Sequence, residues 1–465
     1  MYFRRRRSLV ICLLTVLCAL TIACNPGAED EDGADGSQPA QQVNPETLEG
    51  ELTVWGFGTE DVIGANRIEQ FEEAYPNVKV KLTPGEFDNQ KFLSAAASGS
   101  PPDVIHVDRT IVGSFAARGA LISLDDYIDA TNLDTGIYYD SAMEQVTVDG
   151  SVYGIPQFSN VVVAILNNTA MKEAGLTAAE VDFSDWEDLQ KINEQLSKVD
   201  GDKVVRVGFD AGLPGFTPFW SAANGGSILN EDGTESMLDS PEVIEAVDFA
   251  AETREPVGGQ EKYLGFSQSW DFFGSSNMYV RDQIGIGLFE QWYVGVLGDV
   301  SPDVDITVKP FTTHEDGDEI SYSNGLAWAI PEGAGDTDAA FEFMKFMTDT
   351  DTWVAAAEAS KKDIESKGGV YTGTYTANNE ADERIFEDVY EPTGDKSFDD
   401  AVKVILDAQD AAVSTPPSAA GEEVMRAWED ASNKVLLGEL SAEEAMKEAD
   451  EIAQRALDEA SEDQG

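Results

Sequence analysis

The chain has 465 residues, 42% apolar and 25% charged, the balance of a globular protein with room for two or three cores. With 30 Lys+Arg against 88 Asp+Glu, its formal charge of −58 repels nucleic acid and anionic membrane surfaces, so the sequence supports neither as a partner. The acids are spread along the whole chain, which reads as a solvated surface suited to high salt rather than a store for cations.

Arg4 to Arg7 form a basic patch, Leu9 to Ile22 an apolar run, and Leu20-Thr21-Ile22-Ala23-Cys24 closes the segment. The run is too short and wrongly flanked for a membrane span and reads as a secretory signal. Its end resembles the lipobox of prokaryotic lipoproteins. That predicts a lipoprotein signal peptide over 1–24, with Cys24 lipidated and anchoring the protein to the membrane. Export by the general or the twin-arginine route fits equally. Cys12 and Cys18 fall in the leader, so no internal disulfide is available and stability rests on core size. Residues 25–50, rich in Asp, Glu, Gly, Pro and Gln without an apolar period, read as a flexible acidic tether.

The body opens with the alternating strand Glu51 to Trp55, followed by Ile68, Phe71 and Tyr75 at helical spacing up to Pro76. Val78 to Leu82 alternates again. Phe92, Leu93, Ala96 and Ala97 suggest a short helix, and Asp103 to Asp108 a third strand. This β-α-β-α-β rhythm calls for an α/β fold with a parallel sheet, whose ligands bind beyond the carboxyl ends of the strands. The rule singles out Phe57, Phe87 and Asp108-Arg109. Gly154-Ile155-Pro156 then halts a strand before the apolar run Val161 to Leu166, which reads as a crossing into a second packed unit. Gln157 to Asn160 lie on that crossing, so Phe158 and Asn160 join the candidates.

In the second unit, Ser184-Asp185-Trp186-Glu187 reads as a capping box, with Leu189, Ile192 and Leu196 on the face that follows. Val204 to Phe209 is a strand. Phe216 to Gly226 is dense in aromatics and amides and offers Trp220 and Asn224; Trp270 sits in a similar cluster. Ser240-Pro241 starts a helix. Ile284 to Phe289 is a buried strand delivering Glu290-Gln291-Trp292 to its end. Asp305 to Pro310 repeats the device of a strand stopped by proline and is read as the return crossing. Ser323-Asn324-Gly325 precedes the strand Leu326 to Ile330, and Ala340, Phe341, Met344 and Met347 mark a helix. Ser441 to Glu444 caps a last helix. Trp328 and Trp428 read as core, Trp186 as helix packing.

Several segments together resemble the family 1 extracellular solute-binding proteins, the sugar receptors of ABC importers related to maltose-binding protein. They are LTVW, FEEAYPNVKVKL, PPDVIHVDRTIVGSFAARGALISLDDYI, VYGIPQFSNVVVAILNNTAMKEAGL, FWSAANGGSILN, IGIGLFEQWYVG, GLAWAIP with AAFEFMKFM, and VLLGELSAEEAMKEA. The resemblance implies a two-lobe periplasmic-binding-protein fold of type II, with the ligand clamped between lobes by hinge closure. Lobe 1 is expected over 51–156 plus 310–350 and lobe 2 over 157–309 plus 351–460. A second crossing is expected near 304–310 and a third near 348–353. The expected partners are a small-molecule sugar and the permease subunits of an ABC importer; a monomer with no cofactor is implied, extracytoplasmic and anchored to the outer face of the cell membrane.

A sugar needs flat apolar surfaces for its C–H faces and planar groups that grip neighbouring hydroxyls. Phe57, Phe87, Phe158, Trp220, Trp270 and Trp292 offer the first; Asp108, Arg109, Asn160, Asn224, Glu290 and Asn324 offer the second. By position, Asp108-Arg109 resembles a sugar-contacting pair of maltose-binding protein, and Trp292 the family's stacking tryptophan. Residues 415–421, TPPSAAG, depart from the aromatic that the family often places there. The same fold holding a polyamine, metal chelate or peptide stays open as the alternative. A glycoside-active enzyme is a distant third: His106 and His314 have no metal-ligand spacing, and neither HExxH, GxSxG nor a P-loop occurs.

Overall fold

The computed structural model describes residues 47–463 except 84, 86 and 315. The signal peptide and Cys24 lie outside the described residues, as does the tether up to residue 46. The expected tether ends earlier than 50, because Leu48 is buried and Gly50 already pairs with Val78.

Two five-stranded sheets carry the fold. The first runs Val78–Thr83, Gly50–Trp55, Val104–Asp108, Leu326–Ala329, Ile155–Pro156. Its first three strands are parallel, as the alternating strand-helix rhythm requires. The last two are antiparallel additions made where the chain leaves and re-enters the sheet. The second sheet runs Ile306–Lys309, Val162–Asn167, Ile284–Glu290, Lys203–Asp210, Lys198–Asp200. Val162–Asn167 is buried at every position, as its unbroken apolar run demands, and is antiparallel to both neighbours.

Helix ends follow the sequence with one adjustment. Asp185, not a Ser184 box, caps Trp186–Leu196 by accepting from the Asp188 amide at 2.9 Å. The Ser441–Glu444 box forms reciprocally, Ser441 N to Glu444 at 3.2 Å and Glu444 N to Ser441 Oγ at 3.2 Å. Trp328, Trp428 and Trp186 are buried.

Two segments pack away from the lobe expected for them. Phe311, Ile320 and Tyr322 enter the core beneath the second sheet with Phe183, Phe219 and Trp220, so Pro310 separates two strands on one side rather than marking a crossing. Helix Thr350–Ser366 follows helix Thr337–Thr348 at once and lies along the first helix, Val62–Ala74. The chain therefore does not cross near 348–353. It reaches over at Val370, which donates to the Gly298 carbonyl at 2.8 Å, and comes back at Ala377, which donates to the Gln157 carbonyl at 3.2 Å.

This strap is pinned by Asp382, which is buried and has no cation within ion-pair distance among the described residues. Its Oδ2 accepts from Tyr139 and from Gln409, both at 3.1 Å, and its Oδ1 from the Thr376 amide at 2.8 Å. Burial pushes its pKa up to about 8, against the pull of those donors. An unfolded aspartate titrates near about 4, so the bound proton stabilises the fold fully below that pH and the contribution is lost as pH rises through about 8. Asp382→Asn should therefore gain on the wild type steadily from acid to mildly alkaline pH. Urea midpoints measured across that window read the gap, and a constant gap would refute the assignment.

Candidate functional site

Two crossings run side by side between the sheets. Pro156 ends the ladder with Leu326–Ala329, and the chain continues extended until Asn160 pairs with Asn324. The amides and carbonyls of these two asparagines exchange bonds of 2.8 and 3.2 Å. Residues 323–325 are thus the second crossing, in place of 304–310. Gly325 is required there: its φ is +151°, and a Cβ would meet the Phe158 carbonyl at 2.3 Å.

Arg109 locks this junction and lines neither of the two cavities described below. Its guanidinium is fully buried, donating Nε to Gln145 Oε1 (2.9 Å), Nη1 to the Phe158 carbonyl (2.8 Å) and Nη2 to Ser323 Oγ (3.0 Å). Burial lowers its pKa to about 10, so it stays charged. Glu290 is committed in the same way. It accepts from Asn160 Nδ2 at 3.1 Å, from Asn324 Nδ2 at 2.8 Å, and from Trp292 Nε1. One carboxylate at the end of a second-sheet strand therefore holds both crossings and one indole.

Beside the crossings, at the carboxyl end of the first strand, opens a cavity of about 410 Å³. Phe57 and Phe158 form part of its wall, and Asn160 and Gln157 supply amides, whereas Gln291 beside them is committed to the first crossing, accepting from the Val161 amide at 2.7 Å and donating to the Ser159 carbonyl at 3.2 Å. Trp292 stands at its edge, 38% exposed, with the Phe273 ring parallel to it at 6.0 Å and 13°. The strap contributes Thr372 to Tyr375. Beyond the loop after the first strand lies a second cavity of about 540 Å³, lined by Phe87, Asp108, Glu60, His106 and Met425. Asp108 there caps the following turn, accepting from Thr110 N at 2.9 Å and Thr110 Oγ1 at 2.7 Å. His106 keeps a neutral ring, its pKa lowered to about 3 by burial.

Of the residues expected to gather, Phe57, Phe158, Asn160 and Trp292 share the first cavity, and Phe87 and Asp108 the second. The others line neither. Trp220 is a core residue with no exposure, packed edge-on against Phe219 and Phe311, its Nε1 donating to the Ala211 carbonyl at 2.8 Å. Asn224 donates to the Glu242 carbonyl at 2.8 Å and so ties two helices together. Trp270 packs edge-on to Tyr263 and Phe266. Arg109, Glu290 and Asn324 serve the crossings.

Arg67, Asp61, Trp353 and the strap residues escaped the sequence reading. For Arg67 a signal exists: it falls on the buried face of its helix with Gly64, Ile68 and Phe71, a position where an arginine needs a reason. The strap carries no local signal, because its place depends on how two distant helices pack.

Residues 60–352 match the family model "Bacterial extracellular solute-binding protein". The arabinooligosaccharide-binding protein of Bacillus subtilis (strain 168) is 24% identical over 324 residues, 66% of this chain and 71% of that protein. The maltodextrin-binding protein of the same organism is 25% identical over 58% of this chain and 64% of its own. Among solved structures, CpMnBP1 with mannotriose bound superposes with a TM-score of 0.71 at 21% identity, covering 87% of this chain and 99% of that one. An ABC substrate-binding protein from Listeria monocytogenes in complex with cycloalternan gives 0.70 at 20% identity, covering 88% and 100%. These likenesses share the α/β two-lobe architecture, and with the family model spanning most of the body, the chain belongs to the bacterial extracellular solute-binding proteins.

Proposed function

We propose that this protein is a lipid-anchored receptor on the outer face of the cell membrane that binds a sugar, mono- or oligosaccharide, and hands it to the permease of an ABC importer. The observation that carries the reading is the cavity of about 410 Å³ beside the paired crossings, lined by both aromatic and amide side chains. That volume lies within the usual range for small-molecule sites. Relatives that bind arabinooligosaccharides and maltodextrins point to the same solute class. Phe57, Phe158 and Trp292 would lie against ring faces, and Asn160 and Gln157 would take hydroxyls. The lobes would close about 157–161 and 323–325, bringing the second cavity, with Phe87 and Asp108, over a longer chain.

The receptor does no chemistry in this reading. The leader would be cleaved before Cys24, which would be lipidated as the new first residue, the tether would lift the body off the bilayer, and the acidic surface would keep the monomer soluble at high salt. Titration with mono-, di- and oligosaccharides, followed by calorimetry and small-angle scattering, tests it. Stoichiometric binding without product and a smaller radius of gyration at saturation are expected. Turnover of the sugar would make it an enzyme. Binding of polyamines or peptides in place of sugars would move it to another solute class.

A further inference from the structure

We propose that the solute of the 410 Å³ cavity is an acidic sugar of the uronate type, and that Arg67 anchors its carboxylate; this rests on the sugar-receptor reading above. Arg67 lines the cavity yet is only 1% exposed. No carboxylate among the described residues lies within ion-pair distance of it, and its Nε is buried without a partner. Its Nη1 donates to the Met347 carbonyl at 2.9 Å. The guanidinium sits 3.9 Å from the centre of the Trp353 ring and 5.5 Å from that of Phe57.

A cation withdrawn from water without a counter-ion is costly, and breaking such a pair elsewhere costs several kcal/mol for this reason. Here burial lowers the pKa of Arg67 to about 9, with Asp61 acting weakly the other way, so it remains charged at neutral pH. Asp61 lines the same cavity but stands beyond ion-pair distance, its Oδ1 capping the helix through the Gly64 amide at 2.6 Å. The two aromatic rings hold the cation by its π contacts, and a neutral sugar could accept from it through a hydroxyl but would bring no counter-charge. A carboxylate accepts such donors two at a time. One buried cation without a counter-ion, on a residue that lines the cavity, fits a ring that bears a carboxylate. The same cation argues against a polyamine. Salt screens a buried pair much less than surface charges, so the preference should survive at high ionic strength, where the repulsion from the acidic surface fades.

The test is calorimetric titration of the folded chain with mono- and disaccharides of glucuronic, galacturonic and mannuronic acid, each beside its neutral counterpart. At least one acidic sugar should bind about tenfold or more tightly than its counterpart, the gain of a charge-assisted hydrogen bond. Arg67→Gln should bring that ratio to about one, and Arg67→Lys should keep part of it. Equal or stronger binding of the neutral sugar by the wild type overturns the role of Arg67 and leaves the sugar receptor standing. Failure of every sugar, acidic or neutral, to bind overturns both. Should Arg67→Gln not fold, the wild-type ratio and the lysine variant decide.

Discussion

Trp292→Ala is expected to weaken sugar binding by about 1–3 kcal/mol, roughly five- to 150-fold. The indole lines the cavity with 38% of its surface exposed, so its removal takes contact area from the ligand more than from the core. Its plane is fixed in advance. Phe273 lies parallel to it, and Glu290 holds its Nε1–H. A side chain that is already ordered gives up little entropy when a ring lies against it, so most of the contact energy reaches the affinity. Trp292→Phe should retain part of the binding, because it keeps an apolar face while losing the bond to Glu290. Calorimetry on both variants reads the effect. Unchanged affinity in Trp292→Ala would remove Trp292 from the site.

The contrast between Trp292 and Trp220 shows where sequence reasoning stops. Both stand in segments dense in aromatics, and both offer the same chemistry. What separates them is packing: Trp220 belongs to a helix, Thr217–Ala223, buried on nearly every side, whereas Trp292 begins a helix at the rim of the cavity. Apolar runs such as 161–166 and 284–289 were legible because a strand covered on both faces needs an unbroken apolar stretch. The first crossing was legible because Pro156 ends a ladder. The second was misplaced for the same reason: Pro310 divides two strands of one side, while the true crossing is marked by Gly325, whose φ of +151° no side-chain pattern announces. Polar residues were the hardest to place. Asn160 and Asn324 converge on a glutamate that is 130 and 34 residues away in the chain, so of three polar candidates in the sequence the fold ties all to one another and leaves only Asn160 at the cavity.

Arg109→Met should cost about 2–5 kcal/mol of stability, although the residue was expected at the ligand. Methionine fills much of the arginine stem but donates nothing. Ser323 would still have a partner, because its Oγ already lies 2.8 Å from Ser159 Oγ. Gln145 Oε1 and the Phe158 carbonyl would not, and each buried acceptor left without a donor costs about 1–3 kcal/mol. Relief from burying a charge offsets part of that loss, which keeps the expected total in single figures. The damage would fall on both crossings at once, since the guanidinium joins residue 158 of one to residue 323 of the other. Denaturation should therefore show a lower urea midpoint at an unchanged slope, and scattering should show a wider spread of lobe positions without ligand. A stability loss below about 1 kcal/mol would mean that Arg109 is free to turn toward the solute. In that case its place would be in the site and not in the hinge.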